Sequence, residues 1–562
     1  MTPGRLNLSD LHFAFWPKGL PRELTIPATN LFYNVEVSAA RFPDKPFIVF
    51  YDSVVTFAAF KRQAEHVAGF LASQCGVKPG DRVLIDMQNS PQFVLAYYGI
   101  LRAGGVVVPV NPMNLTAELR HYVDDSGAKV AFAAQELFTQ LRPLLGAGLE
   151  HIIVAAYSDY LKVETDLKVP DFVRAPRLAL GEPGVTLWRD MLLAKHAPPQ
   201  VNAGPDDLCV MPYTSGTTGM PKGCAHTHRN VMSTAVGGLQ WHGTPQDSVF
   251  LAVLPYFHVT GMQSAMNSPM FGGSTIVIQP RWDRDVAAQN IERYKVTAFT
   301  AIPTMVIDFL MNPRLSEYDI SSINRLSGGG AAMPEAIAQK LFDLCGIHYM
   351  EGYGMSETIA PTHLNPPDRP KKQCLGIPMF GVEARVIDPL TLETLPQGEV
   401  GEIIVSGPQI MQGYWQKPKA NEEAFLFLDG KRFLRTGDLG RIDEDGYYFM
   451  VDRLKRMINA AGFKVWPSEV ENMMYANPEI AEVCIVASPD PRRGETVKAF
   501  IVRKPGSTAS VEDIIGWCQQ QMATYKTPRL VEFVTTLPKS GTGKVQWRAL
   551  QEQEAARVAT KP

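Results

Sequence analysis

Cysteine is scarce in this chain: 7 of 562 residues, none of them in a C-x-x-C pair. Thiols so widely spaced exclude a disulfide framework and the usual structural zinc site, and they fit a reducing compartment. Long apolar runs are also lacking. No run reaches the roughly 18 uninterrupted apolar residues of a membrane-spanning helix, and the N-terminal stretch MTPGRLNLSDLHFAFWPKG has no apolar core followed by a small-residue cleavage site. The expectation is a cytoplasmic protein with no integral membrane segment. An excess of one charge is missing as well. The 54 Lys and Arg against 57 Asp and Glu leave a net charge of −3, too little for the overall field to gather nucleic acid or an anionic membrane. A polyanion must therefore be bound locally. No solenoid-period repeat and no long low-complexity tract is present.

What is present is the composition of a folded globular protein, 45% hydrophobic and 20% charged. The length alone suggests roughly three or four domains, an upper figure because large α/β units exceed the average. Along the first half, short apolar runs alternate with longer amphipathic ones: DRVLIDM (81–87), PQFVLAYYGILRAG (91–104), VVVPV (106–110). The rhythm recurs at KVAFAA with ELFTQLRPLL, at VTAFTAI with PTMVIDFLM, and at Arg325 to Ser327 with PEAIAQKLFDL and IHYMEGYG. It predicts an α/β fold, a large N-terminal domain of helix-covered sheets. VEARVID, GEIIVSG and DGYYFMVD are closely spaced alternating strands, which predict an appended small β sheet or barrel. Beyond Asp452 a compact series of two helices and three strands predicts a separate α+β domain. The expected division is residues 1–452 and 453–562.

The stretch YTSGTTGMPKG (213–223) crowds hydroxyls and glycines ahead of one lysine. Gly216, Gly219 and Gly223 permit positive φ and close approach of a bulky ligand. Successive N–H groups in such a turn form an anion nest, Thr214, Ser215, Thr217 and Thr218 add hydroxyl donors, and Lys222 adds a point charge. Phosphate is the natural guest, although a solvated turn has the same composition. The spacing is not G-x-x-x-x-G-K-[ST], which excludes a Walker P-loop.

Six further segments follow in order: LPYFHVTG (254–261), SGGGAAM (327–333), EGYGMSET (351–358), RTGDLG (435–440), DRLKRMINAAGFKVWPSEVE (452–471) and PKSGTGKVQWRAL (538–550). Together with YTSGTTGMPKG, this ordered set resembles the adenylate-forming (AMP-binding) acyl-CoA synthetase family, most of all bacterial fatty-acid-CoA ligases. The resemblance spans most of the chain. It implies an ATP-dependent, AMP-forming ligase that activates a carboxylic acid as acyl-AMP and transfers the acyl group to coenzyme A, with ATP, Mg²⁺ and coenzyme A as cofactors. It implies that Thr214, Ser215, Gly216, Thr217, Thr218 and Lys222 cradle the β- and γ-phosphates. Glu357 would hold Mg²⁺, and Ser356 would bind the α-phosphate. Gly329, Gly330, Ala331 and Ala332 would form the adenine shelf, with the purine also against Tyr353, and Glu351, Gly352 and Gly354 would be further cofactor-binding positions. Asp438 would accept hydrogen bonds from both ribose hydroxyls, with Arg453 beside it, because a carboxylate offers two oxygens to a vicinal diol. Lys544 would be the mobile catalytic lysine. Lys455 would be the hinge of a rotating C-terminal domain, and Ala461 and Gly462 would line the pantetheine tunnel.

The sequence departs from the related D-R-L-K-x-x-I-K-x-K-G pattern, carrying Asn459 and Ala461 in place of lysines, and Lys464 where glutamine is common. The resemblance implies that His258 gates the carboxylate end of the acyl pocket. Val259, Thr260, Gly261, Met262, Ala301, Pro303, Gly328 and Met355 are the candidate lining. His226 and His228 lack further ligands and imply no metal. A medium- or long-chain fatty acid is the expected substrate. The alternatives are an aryl or short or branched carboxylic acid and, from a different class, a non-catalytic nucleotide-binding protein. The partners expected are small molecules, with no nucleic acid and with a homodimer left open.

Overall fold

The structure is a computed structural model that describes residues 8–214, 220–330, 332–460, 463–490, 494–539 and 545–559. Its chain divides into two compact units. The larger comprises Asp10–Glu383 and Ser406–Leu434; the smaller comprises Ala384–Val405 and Arg435–Pro562, together with Met1–Ser9. The boundary drawn from sequence at 452/453 falls inside the smaller unit, at the end of the strand Tyr448–Arg453.

Two nine-stranded sheets build the larger unit. One runs in spatial order through Ile377–Pro378, His363–Leu364, Tyr349–Tyr353, Arg325–Gly329, Ala298–Thr300, Val249–Ala252, Thr275–Ile278, Pro46–Phe50 and Ser53–Thr56. The other runs through Gly413–Tyr414, Lys222–Thr227, Leu208–Val210, Val106–Pro109, Arg82–Asp86, Val130–Ala134, His151–Ala155 and Val185–Leu187, with Tyr213–Thr214 paired onto Lys222–Thr227. Their central pairings are parallel, as strands joined by helical crossovers require. The helix Pro91–Arg102 shows how sequence sets an element. Ser90 caps it by accepting from the Phe93 N–H, Pro91 occupies the first turn where no N–H is needed, and the residues from Pro91 to Leu101 are buried. ELFTQLRPLL is shorter as a helix than its pattern predicts. The α-helix covers Phe138–Leu141 and gives way to a 3₁₀ turn at Arg142–Leu144, because Pro143 offers no N–H to continue the ladder.

In the smaller unit the strand residues 438–442 run antiparallel to Tyr448–Arg453, with Asp438 directly opposite Arg453. Further along, Phe463–Val465, Ile458–Ala460, Gly494–Arg503 and Ile480–Asp490 form a sheet in that order, and Leu530–Phe533 lies parallel to Gly494–Arg503. Helices Pro467–Met474 and Val511–Gln521 contribute Val470, Met474, Ile514 and Cys518 to its core. The fold class matches the α/β expectation, with its α+β C-terminal part.

Candidate active site

A β-hairpin carries the lysine of the Ser/Thr/Gly stretch. Thr214 pairs with Lys222 and Tyr213 with Gly223. A Cβ at Gly223 would stand 2.8 Å from Met211 Cγ and 3.2 Å from the Tyr213 ring, so the buried Met211 side chain would have to shift to admit one. Ser215, Gly216, Thr217 and Thr218 lie outside the described residues. On the other edge of Lys222–Thr227, the strand Gly413–Tyr414 pairs Tyr414 with Cys224, and the Trp415 N–H donates to the Gly223 carbonyl at 2.8 Å. This places the Tyr414 ring under the Lys222 ammonium, 4.9 Å from Nζ to the centroid. The same phenol donates to Glu357 Oε1 at 2.7 Å.

Glu357 is buried, with its carbonyl accepting from the Met411 N–H at 2.9 Å. Burial first, and the Glu357 carboxylate second, push the Tyr414 phenol above its ordinary range, so it keeps its proton and remains the donor. A second brace reaches the same turn. His226 Nε2 donates to the Ser356 carbonyl at 2.7 Å, and complete burial draws the His226 pKa down to about 4, which keeps the ring neutral. Tyr414 and His226 were not among the residues expected from sequence. A signal for His226 existed, because residues 222, 224 and 226 of one strand share a face. Nothing in GYW pointed to a phenol that links a lysine with a glutamate.

The small-residue segment is shaped by crowding. A Cβ at Gly328 would lie 2.0 Å from the Ala301 carbonyl oxygen, one at Gly329 would lie 2.4 Å from the Gly352 oxygen, and Gly330 has φ +85°. Ala331 is outside the described residues, and Ala332 is exposed. Glu351 is buried with both oxygens engaged: Oε1 accepts from the Met333 N–H at 2.6 Å and Oε2 from the Cys374 N–H at 2.9 Å. It thereby holds the end of the glycine turn. A Cβ at Gly352 would meet Leu364 Cδ2 at 2.7 Å, and one at Gly354 would meet the Ala360 backbone at 2.9 Å. Tyr353 is half-buried with its ring 5.7 Å from that of His363, and Ser356 is also half-buried.

His258 caps the helical turn Val259–Met262, its Nδ1 accepting from the Thr260 N–H at 3.3 Å. That bond leaves the ring proton on Nε2. Of the candidate pocket residues, Val259, Gly261, Met262, Ala301 and Pro303 are buried, while Thr260, Gly328 and Met355 keep partial exposure. Gly261 is needed for packing, since a Cβ would stand 2.4 Å from the Leu254 and Pro255 oxygens.

In the smaller unit, Asp438 is buried and pairs with Arg453 Nε at 2.9 Å, while the arginine side chain is half-exposed. The Asp438 N–H donates to Thr436 Oγ1 at 3.1 Å. The chain after this pair is tied down. Asp452 accepts from the Arg453 N–H at 2.6 Å and from the Ser468 N–H at 2.7 Å, and Arg456 reaches Glu471 at 2.5 Å. The Lys455 backbone sits between these anchors in the 3₁₀ turn Leu454–Arg456. Ala461, Gly462 and Lys544 lie outside the described residues. Among the described residues no group of three or more His, Cys, Asp or Glu could hold a metal by itself.

Residues 35–415 match the family described as AMP-binding enzyme, and residues 469–544 match the AMP-binding enzyme C-terminal domain. A long-chain-fatty-acid–CoA ligase of Bacillus subtilis (strain 168) is 35% identical, over 96% of this chain and 97% of its own. A feruloyl-CoA synthase of Amycolatopsis sp. is 33% identical, over 88% of this chain and 92% of its own. Among solved structures, ATP-bound MatB from Rhodopseudomonas palustris superposes with a TM-score of 0.81 at 27% identity, covering 94% of this chain and 99% of that one.

Proposed function

The chain belongs to the AMP-binding enzyme family, as an ATP-dependent acyl-CoA ligase, and from that premise we propose that its acid is a medium- or long-chain fatty acid. The observation that carries the assignment of the site is the convergence of three distant segments, in which Tyr414 stands between the Lys222 ammonium and the Glu357 carboxylate. A cation and a carboxylate held apart by a phenol suit a polyphosphate that lies across them with its own counterion.

A carboxylate is a poor acyl donor because its leaving group is oxide. In the first step a carboxylate oxygen bonds to the α-phosphorus of ATP and the bond to pyrophosphate breaks. In the second the thiol of coenzyme A releases its proton to solvent, its sulfur bonds to the acyl carbon, and AMP departs with the electron pair of the broken acyl–oxygen bond. Both steps bring anions together, so the protein's part is alignment and charge neutralisation. Lys222 lies against the β- and γ-phosphates as pyrophosphate forms, joined by the hydroxyls of Thr214, Ser215, Thr217 and Thr218. Glu357 fits Mg²⁺: it is a buried carboxylate that Tyr414 orients through one oxygen, and an ion bound mainly by phosphate and water needs only one or two protein carboxylates. When bound, the ion neutralises phosphate charge. Asp438 takes the ribose hydroxyls, with Arg453 holding its orientation. The tail bearing Lys544 pivots at Lys455 between the steps, and Ala461 and Gly462 admit the thiol. His258, fixed by its cap to Thr260, stands at the carboxylate end of the acid.

The fatty-acid reading rests on the Bacillus subtilis relative. The feruloyl-CoA synthase at 33% identity favours an aryl acid as the second reading. No described helix is long and apolar enough to cross a membrane, and we place the reaction in the cytoplasm, beside ATP and coenzyme A. The test is AMP release with ATP, Mg²⁺ and coenzyme A across acids from C4 to C18 and a set of aryl acids. Highest turnover on C8 to C18 acids supports the reading, and turnover confined to aryl acids replaces it. Lys544→Ala should stall adenylate formation yet still form thioester from supplied acyl-AMP.

A further inference from the structure

The helix Thr116–Ser126 touches the lysine-bearing hairpin on both sides. It is capped at each end: Glu118 accepts from the Leu115 N–H at 2.8 Å, and Gly127 closes it with φ +67°. Leu119 and Val123 bury one stripe in the core, so the helix is a rigid bar. His121 and Asp125, four residues apart, share another stripe. From there His121 Nε2 donates to the Pro221 carbonyl at 2.7 Å, on the residue before Lys222. Asp125 Oδ2 accepts from the Tyr213 hydroxyl at 2.9 Å, on the opposite strand of the hairpin. Its other oxygen, Oδ1, accepts from Lys417 Nζ at 2.5 Å, three residues beyond the Tyr414 that underlies Lys222 and reaches Glu357. The Asp125 side chain is only 7% exposed, whereas that of Lys417 is 40% exposed, so the carboxylate is shielded from water and the ammonium that pairs with it is not. Among the described residues Lys222 forms no ion pair, and its ammonium rests on the Tyr414 ring.

We propose that His121 and Asp125 are positioning residues that set the height of the Lys222 ammonium for the nucleotide's phosphates, clasping to one helix the two hairpin strands and, through Lys417, the segment that follows Tyr414. The proposal rests on the nucleotide reading of the site. Neither residue touches the substrate. Each acts through Lys222, so its loss weakens ATP binding and leaves the acid untouched.

The test is titration of MgATP into the intact enzyme without acid, for His121→Phe, His121→Gln, Asp125→Asn, Lys222→Ala and the double variant His121→Phe with Lys222→Ala. His121→Phe should raise the Kd for ATP about tenfold, roughly the worth of one well-placed hydrogen bond, and His121→Gln, which keeps a donor, should recover most of it. In the Lys222→Ala background His121→Phe should cost less than about twofold, because residues acting through one another do not add. The KM for the acid in steady-state turnover should stay within about twofold of wild type in the His121 variants. An unchanged Kd in His121→Phe, a fully additive double variant, or equal losses for ATP and acid would each overturn the clasp. Should Asp125→Asn fail to fold, the His121 pair and the cycle still decide. Wild-type enzyme that binds no MgATP would instead remove the nucleotide reading beneath it, a result distinct from a failed clasp.

Discussion

Two buried carboxylates, Glu357 in the larger unit and Asp438 in the smaller, are held in opposite ways. Glu357 depends on distant chain: its phenolic partner is 57 residues away, and the histidine bracing the adjacent Ser356 is 130 away. Asp438 depends on a neighbouring strand, where register alone sets Arg453 opposite it. The first arrangement exists only once the strands Lys222–Thr227 and Gly413–Tyr414 and the turn Ser356–Thr358 have assembled. The second needs one antiparallel pair. A site built by assembly should be sensitive to substitutions in many segments, whereas one built by register should tolerate most changes outside its two strands.

The largest expected effect is at the assembled end. Glu357→Gln keeps the Tyr414 bond but removes the charge, and pyrophosphate release should slow by about 10²–10³, as for the loss of one preorganised electrostatic contact. Stopped-flow measurement of the first step reads this directly. Asp438→Asn removes the charge at the register-built site. It should raise the KM for ATP by about tenfold to a hundredfold, the range for hydrogen bonds to a charged group, with a smaller change in kcat. A kcat loss as large as that of Glu357→Gln would erase the contrast between the two carboxylates. Tyr414→Phe retains the ring under Lys222 and deletes only the bond to Glu357. It should cost about tenfold in kcat/KM and raise the Mg²⁺ concentration needed for half-maximal rate.

Acid should separate the two units further. Every one of the eleven histidines lies at or before residue 363, outside the smaller unit's described strands. Burial lowers His226 and His228 from 6.5 to about 4 in the fold. The unfolded chain therefore takes up protons first. Their contribution is complete above about pH 6.5 and is lost as pH falls towards 4, by up to about 1.4 kcal/mol per pH unit for each ring. Hydrogen exchange, corrected for its intrinsic pH dependence, should show residues 222–227 losing protection between pH 7 and 5 before residues 438–453 do. His226→Gln should reduce that difference. The smallest effect belongs to Arg453→Gln. Its own side chain is 46% exposed while that of Asp438 is 2% exposed, so water screens only one side of the pair; the glutamine amide keeps a donor beside the buried carboxylate, and the thermal midpoint should fall only modestly. A shift as large as that of the histidine variant at low pH would mean that the register-built pair is stronger than its exposure allows.

Much of the fold was readable in advance because its signals are local. DRVLIDM, PQFVLAYYGILRAG and VVVPV became the strand Arg82–Asp86, the helix Pro91–Arg102 and the strand Val106–Pro109, since apolar periodicity and caps act within a few residues. The helix at ELFTQLRPLL was overestimated because the apolar pattern outvoted Pro143. At the site, Lys222, Glu357 and Asp438 were named from the motifs that contain them. Tyr414, His226, His121 and Asp125 were not, because each acts on a residue 57 to 130 positions away, and neither spacing nor period encodes such a pairing.

The sequence by itself determined the order of strands and helices, the α/β class and the family, since all of these follow from local patterning and motif order along the chain. Only the tertiary structure decided which side chains hold the charged ones. The reason is physical: a phenol can stand between an ammonium and a carboxylate only after sheet pairing has set Cys224 opposite Tyr414, and strand register is a property of the assembled sheet.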